Sequence, residues 1–487
     1  GGSHIGSGTV SSGVISGALL GLSSISGWKA SAAEDVMYGL RKAVENSPPD
    51  TWRTRDITKA FKGLGYLEDS GEVRRIVVEL ARRIEGSPEF LDGFGIATIM
   101  HGIRNLRDCA EVRYLFRALS SCILQSSKQS LSSARSSGKT KNQLQLSAVG
   151  IGHFYYGLQR IGESSSELEE LLRVAEEVLL DDTSPRSGSR TEYLTSQEVG
   201  CAFYGLQSLP GDSPGVIRAA DLLIDKVLWD TEPLTEQAIS NTLYGLQNVI
   251  RFLPNSSLLR LLRSITCAVQ AFPSPSFSAQ SFSNCLYGLR NIIVSPPPSS
   301  EIGRAHELLL LSLAEKAPTS IDNQGVGVAL YSLHGIPESL GTRAILRSLA
   351  PLIGQVRGRA TSRMIANALY GLRNTNHCPE AAAILRELRL VATTRSQAVS
   401  SSSSPSSAMR FSPQELSNSL YGMRYLVDTL EGGEMTRVLS NLVVSEGLEP
   451  PSATFSPQEL SNAIYGLALA GDPRYGRDPV ELESLQT

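Results

Sequence analysis

Asparagine, tyrosine and a long polar side chain recur three residues apart along this chain, and that trio is its best candidate for chemistry. The tyrosines include Tyr244, Tyr287, Tyr370 and Tyr421. Three residues before them stand Asn241, Asn284, Asn367 and Asn418, with Asn462 before a further copy. Three residues after the aromatic position come Arg104, Gln159, Gln207, Gln247, Arg290, His334, Arg373 and Arg424. On a helix, spacings of three put the trio near one face. Amides can read the polar edges of a ligand, a ring can stack, and a guanidinium can hold an anionic oxygen. Variation between Arg, Gln and His is what a reader with one position per repeat needs. A structural reading stands beside this one. Asparagine can tie neighbouring repeats together through a backbone carbonyl, tyrosine can bury its ring at the junction, and the Arg or Gln is then an ordinary solvated position.

The trio is carried by a longer string, Leu-Tyr-Gly-Leu. It reads Leu243-Tyr244-Gly245-Leu246 and returns around Gly288 and Gly371, with close variants around Gly157, Gly205, Gly422 and Gly466. From Gly157 to Gly466 the steps are 39 to 51 residues, with Ser332 in place of one glycine. A period of that length marks a solenoid. Glycine in mid-helix costs about 1 kcal/mol against alanine. Its return at Gly205, Gly245, Gly288, Gly371, Gly422 and Gly466 predicts a packing role, the close approach of a neighbouring helix that admits only a hydrogen.

The elements that position the trio are also legible. In Phe411-Ser-Pro-Gln-Glu-Leu-Ser-Asn-Ser-Leu-Tyr-Gly, Ser412 is an N-cap, Pro413 suits the first helical position, and Glu415 completes a capping box. The device recurs at Ser456 with Glu459 and at Thr195 with Glu198, while Thr235 and Ser278 keep only the cap. A second apolar-periodic helix follows each first one, for example over 72–84, 213–227, 301–314, 342–353 and 380–391. Tyr38-Gly39-Leu40 breaks the spacing and reads as a look-alike inside a second helix over 32–44. The expectation is an all-α chain, one right-handed α-solenoid of about eleven stacked helical hairpins spanning 1–487. Its last unit holds only 472–485 for a second helix. Polar inserts near 125–144 and 395–410, and a shorter one at 181–193, are expected to be mobile loops.

Bulk properties narrow the classes. The net charge is −3, from 45 basic and 48 acidic side chains, which predicts no strong non-specific pull toward nucleic acid or anionic membrane. No apolar run approaches the length of a membrane span, so no membrane partner is expected. The 6 cysteines form no Cys-x-x-Cys pair and fit a reducing compartment. The opening Gly-Gly-Ser-His-Ile resembles an expression scar. The 6 histidines show no metal-ligand spacing, the adjacent His377 and Cys378 read as incidental, and Gly325-Val-Gly327 lies inside a repeat helix. With no phosphate loop, dinucleotide fingerprint or nucleophile elbow, neither an enzyme nor a cofactor is expected, and no catalytic or metal residue is assigned.

The core Ser283-Asn284, Leu286-Tyr287-Gly288-Leu289, with its equivalents in other repeats, resembles the Ala-Asn-x-Leu-Trp-Ala-Leu helix of organellar helical-repeat proteins, the octotricopeptide-like and heptatricopeptide-like families. The likeness covers most repeats but only about eight residues of each, and Tyr-Gly replaces Trp-Ala. The resemblance implies an α-solenoid that binds single-stranded RNA in a mitochondrion or plastid, in RNA metabolism or ribosome assembly. The alternative is a protein-protein interaction scaffold without nucleic acid. On either reading the chain is expected to be a monomer or a subunit of a larger complex.

Overall fold

A computed structural model describes residues 10–22, 30–48, 51–87, 89–137, 144–180, 194–227, 233–274, 276–292, 300–357, 359–375, 378–400, 410–426, 429–446 and 454–468. The expectations for 1–5, 181–193 and 472–485, and for His377, lie outside the described residues. Among the described residues the regular structure is helical throughout, as the periodicity predicts. The chain forms two compact units, Gly1–Ser257 and Leu258–Thr487.

The first unit contains α1 (Ser12–Gly21), α2 (Ala30–Asn46), α3 (Thr54–Leu64), α4 (Gly71–Gly86), α5 (Gly93–Gly102) and α6 (Ala110–Ser137). It continues with α7 (Ala148–Tyr156), α8 (Ser166–Val174), α9 (Ser196–Tyr204), α10 (Pro214–Lys226) and α11 (Glu236–Gly245). Each odd-numbered helix packs on the next odd-numbered one, from α1 to α11, and each even-numbered helix on the next even one, from α2 to α10. The unit is therefore a stack of helical hairpins in which every repeat borrows its core from its neighbours.

The second unit repeats the plan. It takes most of α12 (Asn255–Ala271), then α13 (Ala279–Leu289), α14 (Glu301–Glu315), α15 (Asn323–Ser332), α16 (Leu340–Ile353) and α17 (Ser362–Gly371). The last helices are α18 (Pro379–Ser400), α19 (Pro413–Gly422), α20 (Leu430–Glu446) and α21 (Pro457–Ala468). Odd helices α13 to α21 stack in sequence, as do even helices α14 to α20. Tyr38-Gly39-Leu40 falls within α2, a second helix, as its spacing predicts. Helix α6 reaches Ser137 and α18 reaches Ser400, so each runs into a polar insert, while 138–143 and 401–409 of those inserts lie outside the described residues. Leu, Lys, Gln, Ala and Arg within these stretches are good helix formers, and a helix already nucleated by packing propagates through them at little cost.

The helix starts are built as the sequence implies. The Ser412 hydroxyl accepts from the Glu415 amide at 3.2 Å, and the Glu415 carboxylate accepts from the Ser412 amide at 3.0 Å. Ser456 and Glu459 form the same box, as do Thr195 and Glu198. Thr235 and Ser278 cap α11 and α13.

The recurring glycine is where successive odd helices touch backbone to backbone. A Cβ built on Gly157 would lie 2.1 Å from the Met100 carbonyl oxygen, one on Gly205 2.0 Å from that of Tyr155, and one on Gly245 1.9 Å from that of Phe203. In the second unit the same is true of Gly371 against Leu330 (1.9 Å), Gly422 against Leu369 (2.2 Å) and Gly466 against Leu420 (2.4 Å). The partner is always the carbonyl two residues before the equivalent position of the preceding repeat. A methyl group has no room there, and the contact is of the Cα–H to carbonyl kind. Gly288 is buried as well. Ser332 is fully buried, its hydroxyl donates to the Val328 carbonyl at 2.6 Å, and the tight contact moves to Gly335, whose Cβ would lie 1.9 Å from the Arg290 oxygen.

Even helices are joined differently. Arg83 of α4 is 7% exposed, and its Nη2 donates to the Val44 and Ser47 carbonyls at the end of α2, at 2.8 and 3.1 Å. The Val44 carbonyl also accepts from the Ser47 hydroxyl at 2.7 Å, so the guanidinium is a further, charged partner there as well as a donor to Ser47. Arg83→Met is expected to destabilise the first unit by about 2–3 kcal/mol, the range for losing a buried charge-assisted bond to carbonyls that stay buried. Urea denaturation checks it, and an unchanged midpoint would mean that water replaces the guanidinium at no cost.

Candidate ligand-binding face

The helical face predicted from the spacing of three is real, and its aromatic residues form stacks. In the first unit, Tyr156 stacks on Tyr204 and Tyr204 on Tyr244, each with ring centroids 6.0 Å apart. His101 extends the column, 5.7 Å from Tyr156 and 4.4 Å from His153. In the second unit, Tyr331, Tyr370, Tyr421 and Tyr465 step at 5.6, 6.0 and 5.9 Å. The close glycine contacts bring the helices near enough for ring to meet ring. At these separations a base has no gap between neighbouring rings of a stack.

The arginines of the stripe lie against these rings. Arg290 sits over Tyr287 with 3.3 Å to the centroid, Arg373 over Tyr370 at 4.8 Å, and Arg424 over Tyr421 at 4.6 Å. Arg104 covers Tyr66 at 5.0 Å. These are cation–π contacts. Among the described residues, Arg104, Arg373 and Arg424 have no carboxylate within ion-pair distance. The ion pairs that bridge successive repeats are on the even layer, as in Arg41–Glu72, Arg117–Glu167, Arg347–Glu380 and Arg389–Glu434.

The stripe is also tied into the repeat junctions. Gln159 Nε2 donates to the Arg104 carbonyl at 2.9 Å, Gln247 Nε2 to that of Gln207 at 3.2 Å, and Arg373 Nε to that of His334 at 3.3 Å. These three stripe side chains thus reach back to the equivalent backbone of the preceding repeat, whereas Arg104 and His334 bond the carbonyl three residues before them, His101 and Tyr331. The next residue does the same: Asn105 donates to Gly65 O at 2.9 Å, Asn248 to Gln207 O at 3.0 Å, and Asn374 to His334 O at 2.5 Å. Arg424 Nη2 donates to the Asn374 side chain at 3.3 Å. Stripe residues are half-buried, and Gln247 is buried.

The asparagine tie read from the sequence therefore belongs to the residue four after the tyrosine. Asn241, Asn284, Asn367, Asn418 and Asn462, three before it, are half-buried on the same face. Asn241 packs on the glycine of the preceding helix, its Nδ2 3.6 Å from a Cβ built on Gly200. Asn462 accepts from Gln458 at 3.0 Å.

Burial keeps the histidines of the face neutral. His101 is pushed down to about 4 by burial, helped by the Arg104 charge, and His334 to about 4 by burial against the opposing pull of its bond to the Tyr331 carbonyl. Burial lowers His153 as well and raises Tyr156 and Tyr370. The fixed positive charge of the face is therefore that of its arginines and, on α3, of Lys59 and Lys62.

One row escaped the sequence reading. Seven residues before the tyrosine, two turns earlier on the same face, six odd helices carry an exposed glutamine: Gln197, Gln237, Gln280, Gln324, Gln414 and Gln458. The repeated capping string contains it, so an alignment of the repeats on their glycines exposes it.

Among the described residues no group of three or more His, Cys, Asp or Glu could hold a metal ion, and no helix is long and apolar enough to cross a membrane. The architecture is that of a helical-repeat scaffold in a generic sense. No protein-family model matches the chain, and no curated protein is significantly similar to it.

Proposed function

We propose that this chain is a helical-repeat scaffold, not a catalyst, and that in each unit the odd-helix face binds single-stranded RNA. The observation that carries the reading is the placement of Arg104, Arg373 and Arg424. They are held over tyrosine rings on that face without carboxylate partners, while the bridging ion pairs are on the other layer. Each guanidinium spends donors within the protein, Arg104 on the His101 carbonyl, Arg373 on the His334 carbonyl and the Tyr370 hydroxyl, and Arg424 on Asn374, and the remaining N–H groups would take phosphate, so cationic positions on this face are compatible with a net charge of −3. An organellar setting rests on the repeat resemblance alone.

A second reading, a protein-binding scaffold, is favoured by one patch of the first unit. Phe90 and Phe94 are 48% and 75% exposed, and Val149, at the position of Phe94 in the next odd helix, is 51% exposed. Exposed apolar groups of this kind are usual at protein interfaces.

Fluorescence anisotropy with a random-sequence single-stranded RNA at two salt concentrations separates the two. RNA binding predicts affinity that falls steeply with salt, and a slope reduced by roughly one for each of Arg373→Ala and Arg424→Ala. No binding at low salt, or a double variant indistinguishable from wild type, turns the reading toward the protein scaffold.

A further inference from the structure

The row of exposed glutamines is not explained by folding. It occupies the second position of α9, α11, α13, α15, α19 and α21, inside the first helical turn. An acidic residue is favoured there by the helix dipole, by about 0.3–1 kcal/mol. These repeats do place acids in the first turn, at Glu198, Glu236, Glu415 and Glu459, yet always beside the glutamine and never in its place. Among the described residues the Gln197, Gln237, Gln280, Gln324 and Gln414 side chains have no hydrogen-bond partner. Each leaves one acceptor and two donors open to solvent.

In four of the six helices an asparagine follows one turn later, three residues before the tyrosine, as Asn462 follows Gln458. The bond from Gln458 to Asn462, at 3.0 Å, shows that the two amides are within reach of one another on the same face. At α15 the row borders an open groove of about 860 Å³, lined in part by Gln324, Asn323, Ser278 and Thr319. Where the row departs from glutamine it becomes Gly13, which has no side chain, Phe94 and Val149, which cannot hydrogen-bond, or Arg55 and Arg363, which only donate. This is the variation a recognition position shows. The Arg and Gln stripe is a weaker candidate for reading, because Gln159, Gln247 and Arg373 already spend donors on the preceding repeat's carbonyls.

We propose that the exposed glutamines of each unit, with the asparagine one turn on, contact the base edges of a single strand bound to that unit and set its sequence preference, while the stripe arginines hold phosphate. The inference rests on the RNA reading above. Amides hydrogen-bond base edges, and adenine is the base whose paired donor and acceptor suit them best.

The test is selection from a randomised single-stranded RNA pool with the whole chain, followed by the same selection with Gln414→Ala and Gln458→Ala together. Melting curves accompany both, and exposed side chains of this kind should leave them unchanged. The expected result is that the variant loses part of the enriched consensus and binds the wild-type consensus roughly tenfold or more weakly, with an unchanged salt slope. Arg373→Ala with Arg424→Ala should instead lower affinity for all sequences alike and reduce the slope. If the glutamine variant enriches the same consensus with the same affinity, the assignment of the row is wrong while RNA binding stands. If the wild-type chain enriches no RNA, both fall together.

Discussion

Gly371→Ala is expected to destabilise the second unit by about 3 kcal/mol or more, whereas Gly39→Ala is expected to stabilise the first by about 0.5–1 kcal/mol. The two residues are in the same local string, Tyr-Gly-Leu, and both are in helices. Propensity alone gives alanine the advantage at either site. Surroundings decide the sign. A Cβ on Gly39 meets nothing within 4 Å, whereas one on Gly371 would lie 1.9 Å from the Leu330 oxygen and 2.4 Å from its carbon. Those atoms are helical backbone, which cannot rotate aside as a flexible side chain does. The helices α15 and α17 must separate, and the Tyr331 to Tyr370 stack between them opens with them. Urea denaturation followed by helical circular dichroism reads both variants. A Gly371→Ala midpoint equal to or above wild type would show that the repeats are not held by this contact.

That pair of residues also shows how far the sequence could be read. Repetition revealed the glycine's role: a costly residue that returns in nearly every copy must be offset by packing, and the contact needs only a short period and a small side chain. Caps were legible for the same reason, since Ser412 and Glu415 meet within three residues. The face carrying the trio followed from helical geometry. Long-range partners did not. The variation of the stripe between Arg, Gln and His resembles that of a reader, yet Gln159 and Gln247 also serve as ties to a carbonyl 55 and 40 residues away. The asparagine suspected of tying repeats lies seven residues, about two helical turns, before the one that does. The ends of α6 and α18 were missed because serine-rich composition argues against structure locally, while the packed helix that precedes it nucleates the extension.

Lowering the pH from 6.5 to about 4 is expected to cost the second unit about 3 kcal/mol through a single histidine. His306 of α14 is 4% exposed, its Nε2 has no hydrogen-bond partner among the described residues, and burial pushes it down to about 4. Above the ordinary imidazole value near 6.5, both folded and unfolded chains hold it neutral, and the full stability is present. Between 6.5 and 4 the unfolded chain takes a proton that the folded chain refuses, so stability falls as the pH falls. Below about 4 both are protonated and the loss is complete. The paired carboxylates act in a lower window: Glu380, held down by its bond to Arg347, loses that contribution only as the pH drops below the usual carboxylate range. His334, half-buried, adds in the same direction as His306 but less, because solvent screens it. His306→Leu should therefore match or exceed wild type at pH 7, since a buried unsatisfied nitrogen is replaced by an apolar group of similar size. Between pH 6.5 and 4.5 its urea midpoint should decline clearly less than that of wild type, the remaining fall being the share of His334. If both decline in parallel, His306 does not control the acid sensitivity of this unit, and the loss belongs to other groups.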